Sequence, residues 1–343
     1  MAQVVERPLW EREASGSSPD APIFIFGFYM AQSSVFNLLH TPADIEAETS
    51  VSGVRILTSR VVETPFSFGS LFLSVNCQFP PNSYVLAEIQ VRADNKWSDF
   101  YKLALLSAQL KTSFPSQEDT FARVNTDELE LKVPAQAYRY RIHLSGGAET
   151  DLTAVTLVKE PFTYAEKTAA KLPPRVREIG IIPISQLEQD TPQKRRICSP
   201  TSLLMALHYL GFEKDIKQVM DGVFDATASI YGNWLFNVVY ASQAGAQAYV
   251  RRFASLAELD KFVTPDTCVI ASIAFDKGEL ANAPMSHTAG HLVVLRGWKS
   301  GKILVADPAA ARADSVFRAY DAQEFSNAWL KRKKGISYIV RKK

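Results

Sequence analysis

Cysteine is scarce in this sequence: its 343 residues include three, Cys77, Cys198 and Cys268. That excludes a disulfide-built miniprotein, and the odd count leaves at least one thiol unpaired within the chain. An excess of charge of one sign is missing too. Lys+Arg total 38 against 36 Asp+Glu, a net charge of +2, which gives no reason to expect a nucleic-acid or membrane-surface partner. Long apolar runs are absent. The longest, Ala21 to Ala31 (APIFIFGFYMA), is too short to span a bilayer, which takes about 20 residues, and it reads as a buried strand. The residues before it carry Glu6, Glu11, Glu13 and Asp20 instead of a basic leader region. No export signal is therefore visible, and the expected compartment is the cytoplasm.

What is present is ordinary globular material, 47% hydrophobic and 22% charged, with length enough for two cores. The first half reads as β. Ala87, Ile89 and Val91 alternate with Glu88, Gln90 and Arg92; Leu129, Leu131 and Val133 alternate with charged residues; so do Tyr138, Tyr140, Ile142 and Leu144. Period-2 alternation is the mark of antiparallel strands with one buried face. Phe68–Phe79, Trp97–Leu106 and Leu152–Lys159 add further strands, separated by turn residues such as Pro80-Pro81-Asn82. The polar stretch Pro161–Glu178, with Pro173-Pro174, reads as a linker. Beyond it helices are expected at Pro200–Leu210, Asn233–Ala244 and Ser255–Val263. Strands follow at Thr267–Phe275, His291–Trp298, Ile303–Ala306 and Ile336–Val340. The C-terminal bases around the last strand read as the flanks of a solvated edge, and Arg251 and Arg252 as a surface pair. The expected fold class is α+β: a jelly-roll-like antiparallel β-sandwich over residues 1–165, with an extension at 1–20, then an α+β domain over 175–343.

The chemistry centres on Cys198, in RRICSPTSLLMALHYLG. Pro200 suits a first helical turn, Leu203, Leu204, Leu207 and Leu210 recur at helical spacing, and Gly211 is a natural stop. Cys198 thus falls at a helix start, where unpaired N–H groups favour a thiolate and make it nucleophilic. Cys77 and Cys268 lie in apolar strands and read as core. Of the histidines, His40 and His143 belong to the first half, and His208 is about 15 Å along the Cys198 helix. That leaves His287 and His291. If Lys299–Gly301 is a three-residue hairpin loop, His291 and Asp307 become diagonal neighbours on one face. A two-residue loop would place them on opposite faces. An aspartate there can orient the imidazole and stabilise its charge. The i, i+4 pair His287 and His291 sits beside Pro284 and Gly290 and lacks the glutamate of a zincin helix, so no metal and no cofactor are expected.

With these residues assembled, the second half resembles the C39-like branch of the papain-like cysteine peptidases. The matching stretches are ICSPTSLLMALHYLG, GNWLFNVVYASQAGAQAYVRRFAS, TAGHLVVLRGW and ILVADPAA, in family order. The first half is similar to the β-sandwich that precedes such domains in some chains, through FGSLFLSVNCQFPPNSYVLAEIQVRADNKWSDFYKLA. The resemblance implies Cys198 as nucleophile, His291 as base then acid, and Asp307 as its orienter. It also implies a glutamine side chain in the oxyanion hole. Gln186, Gln189 and Gln193 are the candidates, with Gln186 favoured because it follows the strand-like IGIIPIS. Asn233 and Trp234, at a helix start, are assigned to the cleft as substrate-binding residues, against a core tryptophan as the alternative. The expected activity is hydrolysis of peptide bonds in a peptide or protein substrate, cell-wall peptide among them. The same triad would serve a cell-wall amidase or acyltransferase, and a catalytically inactive binding module is a third reading. The sandwich would then offer a glycan or protein partner a stacking surface of Trp97, Phe100 and Tyr101, against the commoner reading of strand aromatics as core.

Overall fold

The alternating segments of the first half become eleven strands joined in one antiparallel sheet. In this computed structural model residues 33–343 are described; the strand expected at Ala21–Ala31 and the extension at 1–20 lie outside the described residues. The strands are β1 (Val35–His40), β2 (Ile45–Val51), β3 (Val54–Ser59), β4 (Val62–Gln78), β5 (Tyr84–Ala93), β6 (Lys96–Trp97), β7 (Tyr101–Ser107), β8 (Lys111–Ser113), β9 (Ala122–Asn125), β10 (Glu128–Ser145) and β11 (Glu149–Lys159). Their main order is β1-β11-β4-β10-β5-β7-β8. The two strands expected at Leu129–Val133 and Tyr138–Leu144 are one, β10. Register shifts around Ala135 bend it, so its start pairs with β4 and its end with β3 and β5. The bend folds the sheet over a core that includes Leu71, Ile89, Leu103, Tyr140 and Ile142.

The other face of β5 and β10 is not simply wet. Arg139 lies over the Trp97 and Phe100 rings at 4.8 and 5.5 Å, and Arg141 over Phe100 at 3.8 Å. His143 Nε2 is 2.8 Å from the Glu88 carboxylate. The expected stacking surface is therefore corrected: guanidinium groups already cover Trp97 and Phe100, and Tyr101 is buried with its hydroxyl on Asp119 at 2.7 Å.

The linker is likewise strapped down. It contains α1 (Glu166–Ala169) and β12 (Arg177–Glu178), which pairs with Gly297 and Trp298, and the Tyr164 hydroxyl lies 2.8 Å from Ser326 Oγ. Beyond it come α2 (Cys198–Tyr209), α3 (Ile216–Val223), α4 (Trp234–Gln243), β13 (Gln247–Arg252), β14 (Thr267–Phe275), β15 (Thr288–Lys299), β16 (Lys302–Ala306), β17 (Phe317–Asp321), α5 (Ala322–Ser326) and β18 (Ile336–Arg341). The helix expected at Ser255–Val263 is a 3-10 run over Leu256–Lys261. The second sheet is also antiparallel, ordered β13-β18-β14-β15-β16-β17. The last strand is thus interior and buried, not a solvated edge. Its flanking bases are tied: Arg332 to Asp276 and Glu279, Lys343 to Asp151.

Helix α4 carries two apolar faces. Leu235, Phe236 and Val239 join the first core, while Val238 and Ala241 join the second. Beside it, β13 presents the free edge of the second sheet, a row of backbone groups that must be satisfied. Side chains of the first half do this. Asn37 accepts from the Arg252 N–H at 2.8 Å and donates to its carbonyl at 3.0 Å; Asn76 treats Ala248 the same way; Ser74 accepts from Val250. Arg252 is accordingly no surface residue. It is 3% exposed, pairs with Glu128 and donates to the Lys333 carbonyl.

Candidate active site

Helix α2 starts where the sequence places it, with Cys198 in its first turn and Gly211, at φ +88, behind its C-cap Leu210. Its flanks are apolar almost all round, and Ser199 to Leu207 are buried. The other long helices are capped by acceptor side chains, Asp215 on α3 and Asn233 on α4. Helix α2 is not: its N-cap is Ile197, and no acid lies in its first turn. The orphan N–H groups of that turn, with the positive end of the helix dipole, are therefore left for a negative charge at Cys198.

Strand β15 brings His291 to this helix end. Ser202 of α2 donates to the Leu292 carbonyl at 3.0 Å, and the His291 ring and the Leu292 N–H both act to lower the pKa of the Cys198 thiol. His291 Nε2 lies 2.7 Å from Asp307 Oδ1. That spends Nε2 on the carboxylate and leaves Nδ1 for the thiol.

The register behind this pair differs from the expectation. The hairpin loop has two residues: Lys299 pairs with Lys302, and Ser300 and Gly301 both have positive φ, 50 and 76, as a type I′ turn requires. Alone, that turn would put His291 and Asp307 on opposite faces. A bulge between Leu295 and Gly297 restores the phase, so Val294 faces Ala306. Gly297 makes the bulge possible. Its φ is +145, and a Cβ there would stand 1.9 Å from the Arg177 carbonyl oxygen.

Asp307 is fully buried and triply held. Besides His291 it accepts from the Tyr320 hydroxyl at 2.8 Å on Oδ2 and from the Ala309 N–H at 3.0 Å on Oδ1. Burial works against its charge, but His291, Tyr320 and Ala309 outweigh it and hold the carboxyl below its ordinary value. His291 is buried as well, which disfavours its cation, yet Asp307 and the thiol raise its pKa above the ordinary 6.5. For Cys198, burial would raise the thiol; the hydrogen bond and charge of His291 win, and its pKa falls below the ordinary 9.0. The other two thiols have no such partner. Burial, chiefly, pushes Cys77 up to about 12, and burial alone pushes Cys268 further still.

Gln186 reaches the same corner. Its N–H donates to the Pro308 carbonyl at 2.8 Å, next to Asp307, and Ser185 Oγ donates to the Ala310 carbonyl. The buried Gln186 amide donates to the Lys194 carbonyl at 2.9 Å. That bond orients it, since a flipped amide would set two oxygens face to face. Gln189 is turned back onto the Ser185 carbonyl, and Gln193 accepts from Arg196.

The assignment of Asn233 as a substrate contact is corrected. It is fully buried, with Oδ1 accepting from the Phe236 N–H and Nδ2 donating to Asp225, so it caps α4 and touches no cleft. Trp234 is half-buried between Phe72 and Tyr338, with ring centroids at 6.0 and 4.4 Å. His287 is exposed and bonds only its neighbour Ser286. Tyr320 was missed by the sequence reading. Its signal was its place one strand beyond Asp307, in FRAYD, where alternation turns Tyr320 and Arg318 to one face. Among the described residues no cluster of histidine, cysteine and carboxylates could hold a metal, and no helix is long and apolar enough to cross a membrane.

A peptidase-like second half behind an antiparallel β half is the class these elements define. Two stretches, one in each half, carry the likeness to the C39-like peptidases. Residues 178–337 match the model of the Peptidase_C39 like family, and residues 44–159 match that of the Peptidase C39 N-terminal domain. Several solved structures are similar, two of them as follows. One is a double glycine motif protease from an AMS/PCAT transporter in complex with the leader peptide, at 22% identity and a TM-score of 0.35, covering 50% of this chain and 97% of that one. The other is a Bacillus anthracis protein described as a C39-like peptidase, at 18% identity and a TM-score of 0.38, covering 49% of this chain and 98% of that one. No curated protein matches the sequence.

Proposed function

We propose that this protein is a cysteine peptidase, with a jelly-roll-like sandwich up to about residue 165 and a papain-like catalytic domain from about residue 175. The observation that carries the reading is His291 Nε2 at 2.7 Å from Asp307, with the His291 ring brought to the helix end that bears Cys198 and has no side-chain cap, and the thiol pKa lowered by that ring. His291 takes the thiol proton, and the thiolate adds to the scissile carbonyl carbon. The oxyanion receives the Cys198 backbone N–H and the second N–H of the Gln186 amide, the one not spent on Lys194. His291 then protonates the leaving amine, and Asp307 stabilises the imidazolium meanwhile. Water enters, His291 deprotonates it, and the acyl-enzyme is hydrolysed to a carboxylic acid and free thiol. The substrate is a peptide or protein.

Cys198→Ala tests this. It should abolish both peptide hydrolysis and labelling by a thiol-directed inhibitor while leaving the circular dichroism spectrum unchanged. Hydrolysis that survives in this variant overturns the mechanism.

A further inference from the structure

The β9–β10 turn of the first half ends at the active-site scaffold. Asp127 sits in that turn, buried, and its Oδ2 accepts from the N–H groups of Trp234 and Leu235, the latter at 3.3 Å. These are the first two residues of α4, more than a hundred positions along the chain. Asn233 takes the next N–H, that of Phe236, at 3.0 Å. Three of the four orphan donors of α4 are thus satisfied, two of them by a residue from the other half of the protein.

From there α4 leads to the nucleophile. Asn237 donates to the Asn233 carbonyl at 2.7 Å, and its Oδ1 accepts from Ser199 Oγ at 3.0 Å. The Tyr338 hydroxyl is 3.2 Å from the same Ser199 oxygen, and its ring packs on Trp234. Ser199 is the residue after Cys198, in the first turn of α2. We infer that Asp127 is a positioning residue for Cys198: by capping α4, the sandwich fixes Asn237, and through Asn237 and Ser199 it sets the first turn of α2. The inference gives the first half a part in the peptidase reading of the second, and for catalysis it rests on that reading.

Burial pushes the Asp127 carboxyl up to about 8, against the two N–H bonds, with Glu128 and Asp225 adding to the rise. Near pH 7 the group is largely an uncharged acceptor, which asparagine reproduces. Conservative replacement should therefore rescue the site where truncation does not.

The test uses the full chain and iodoacetamide, following alkylation of the Cys198 peptide against pH by mass spectrometry, with casein hydrolysis alongside. Asp127→Ala should slow Cys198 alkylation at pH 7 by about two- to thirtyfold, the span usual for couplings through packed networks, and move its profile to higher pH. Asp127→Asn should stay near wild type. Asn237→Ala, which cuts the same route nearer the thiol, should reproduce the shift and serves if Asp127→Ala does not fold. Asn37→Ala, which loosens the interface at β13 without touching α4, should lower the melting temperature and leave the profile in place. Profiles for Asp127→Ala and Asn237→Ala that superimpose on wild type overturn the inference, and so does an equal shift in Asn37→Ala. If wild type alkylates but does not cleave casein, and Asp127→Ala still shifts the profile, the positioning role stands and the peptidase reading loses support.

Discussion

Tyr320→Phe isolates the third bond on Asp307. The ring is buried and stacked at 6.1 Å on Phe325, so phenylalanine keeps the packing and removes only the hydroxyl that donates to Oδ2 at 2.8 Å. Asp307 keeps His291 and Ala309, so the carboxylate stays charged but loses one donor with no water to replace it. A hydrogen bond to a charged group contributes about 1.5–3 kcal/mol, and a neutral pair about 0.5–1.5 kcal/mol. The sign follows from Asp307's depressed pKa. A carboxyl lowered in the folded state stabilises it above the unfolded value, and that stability is lost as pH falls through the folded value. The variant should therefore lose about 1.5–3 kcal/mol at pH 7, and the gap to wild type should narrow toward the neutral-pair figure in acid. Denaturant unfolding at a series of pH values reads this directly. In the same variant kcat should fall about tenfold with KM unchanged, because the imidazole is less well held in the transition state. A loss that is the same at every pH, or full kcat with the stability loss in place, would refute the assignment of Tyr320 as the orienter of Asp307.

The pH dependence of activity should be a broad bell. Its acid limb lies below the ordinary thiol value, where Cys198 regains its proton, and its alkaline limb lies above 6.5, where His291 loses its own; both belong to the coupled pair. An alkaline limb near 6.5 in a kcat/KM profile would contradict the ion pair with Asp307. Gly297→Ala should be severe, since it combines a positive φ with a backbone overlap at Arg177. A fall of several degrees in melting temperature together with loss of alkylation at Cys198 is expected, and a stable, reactive variant would show that the bulge does not set the His291–Asp307 phase.

Much of this site was legible because its signals are local. A proline-bearing start with leucines at helical spacing identified α2, the run His291–Trp298 identified β15, and ILVADP identified β16, each within a few residues. Cys77 and Cys268 were separable from Cys198 by apolar context alone. What failed was whatever depends on a partner far along the chain. Asn233 reads as a helix-start residue, but only the Asp225 carboxylate beside it shows that its amide is fully committed. Arg252 has the charge of a surface residue, and only Glu128 and the backbone of Lys333 make its burial tolerable. Trp97 and Phe100 read as an open platform until the guanidiniums of Arg139 and Arg141 are placed on them.

The hairpin shows how a right conclusion can follow from a wrong local step. A three-residue loop and a two-residue loop with a bulge produce the same phase at Val293 and Asp307, because each adds one residue to the same strand. Periodicity cannot distinguish them, since LVVL is a continuous buried run with no alternation to read. The glycine can. A glycine inside a strand lacks a side chain to pack, and in this chain Gly297 sits where β12 crosses so closely that no Cβ fits. The position that aligns His291 with Asp307 is therefore also the position that docks the segment joining the two halves. The strap from the first half and the phase of His291 and Asp307 are set by the same few atoms.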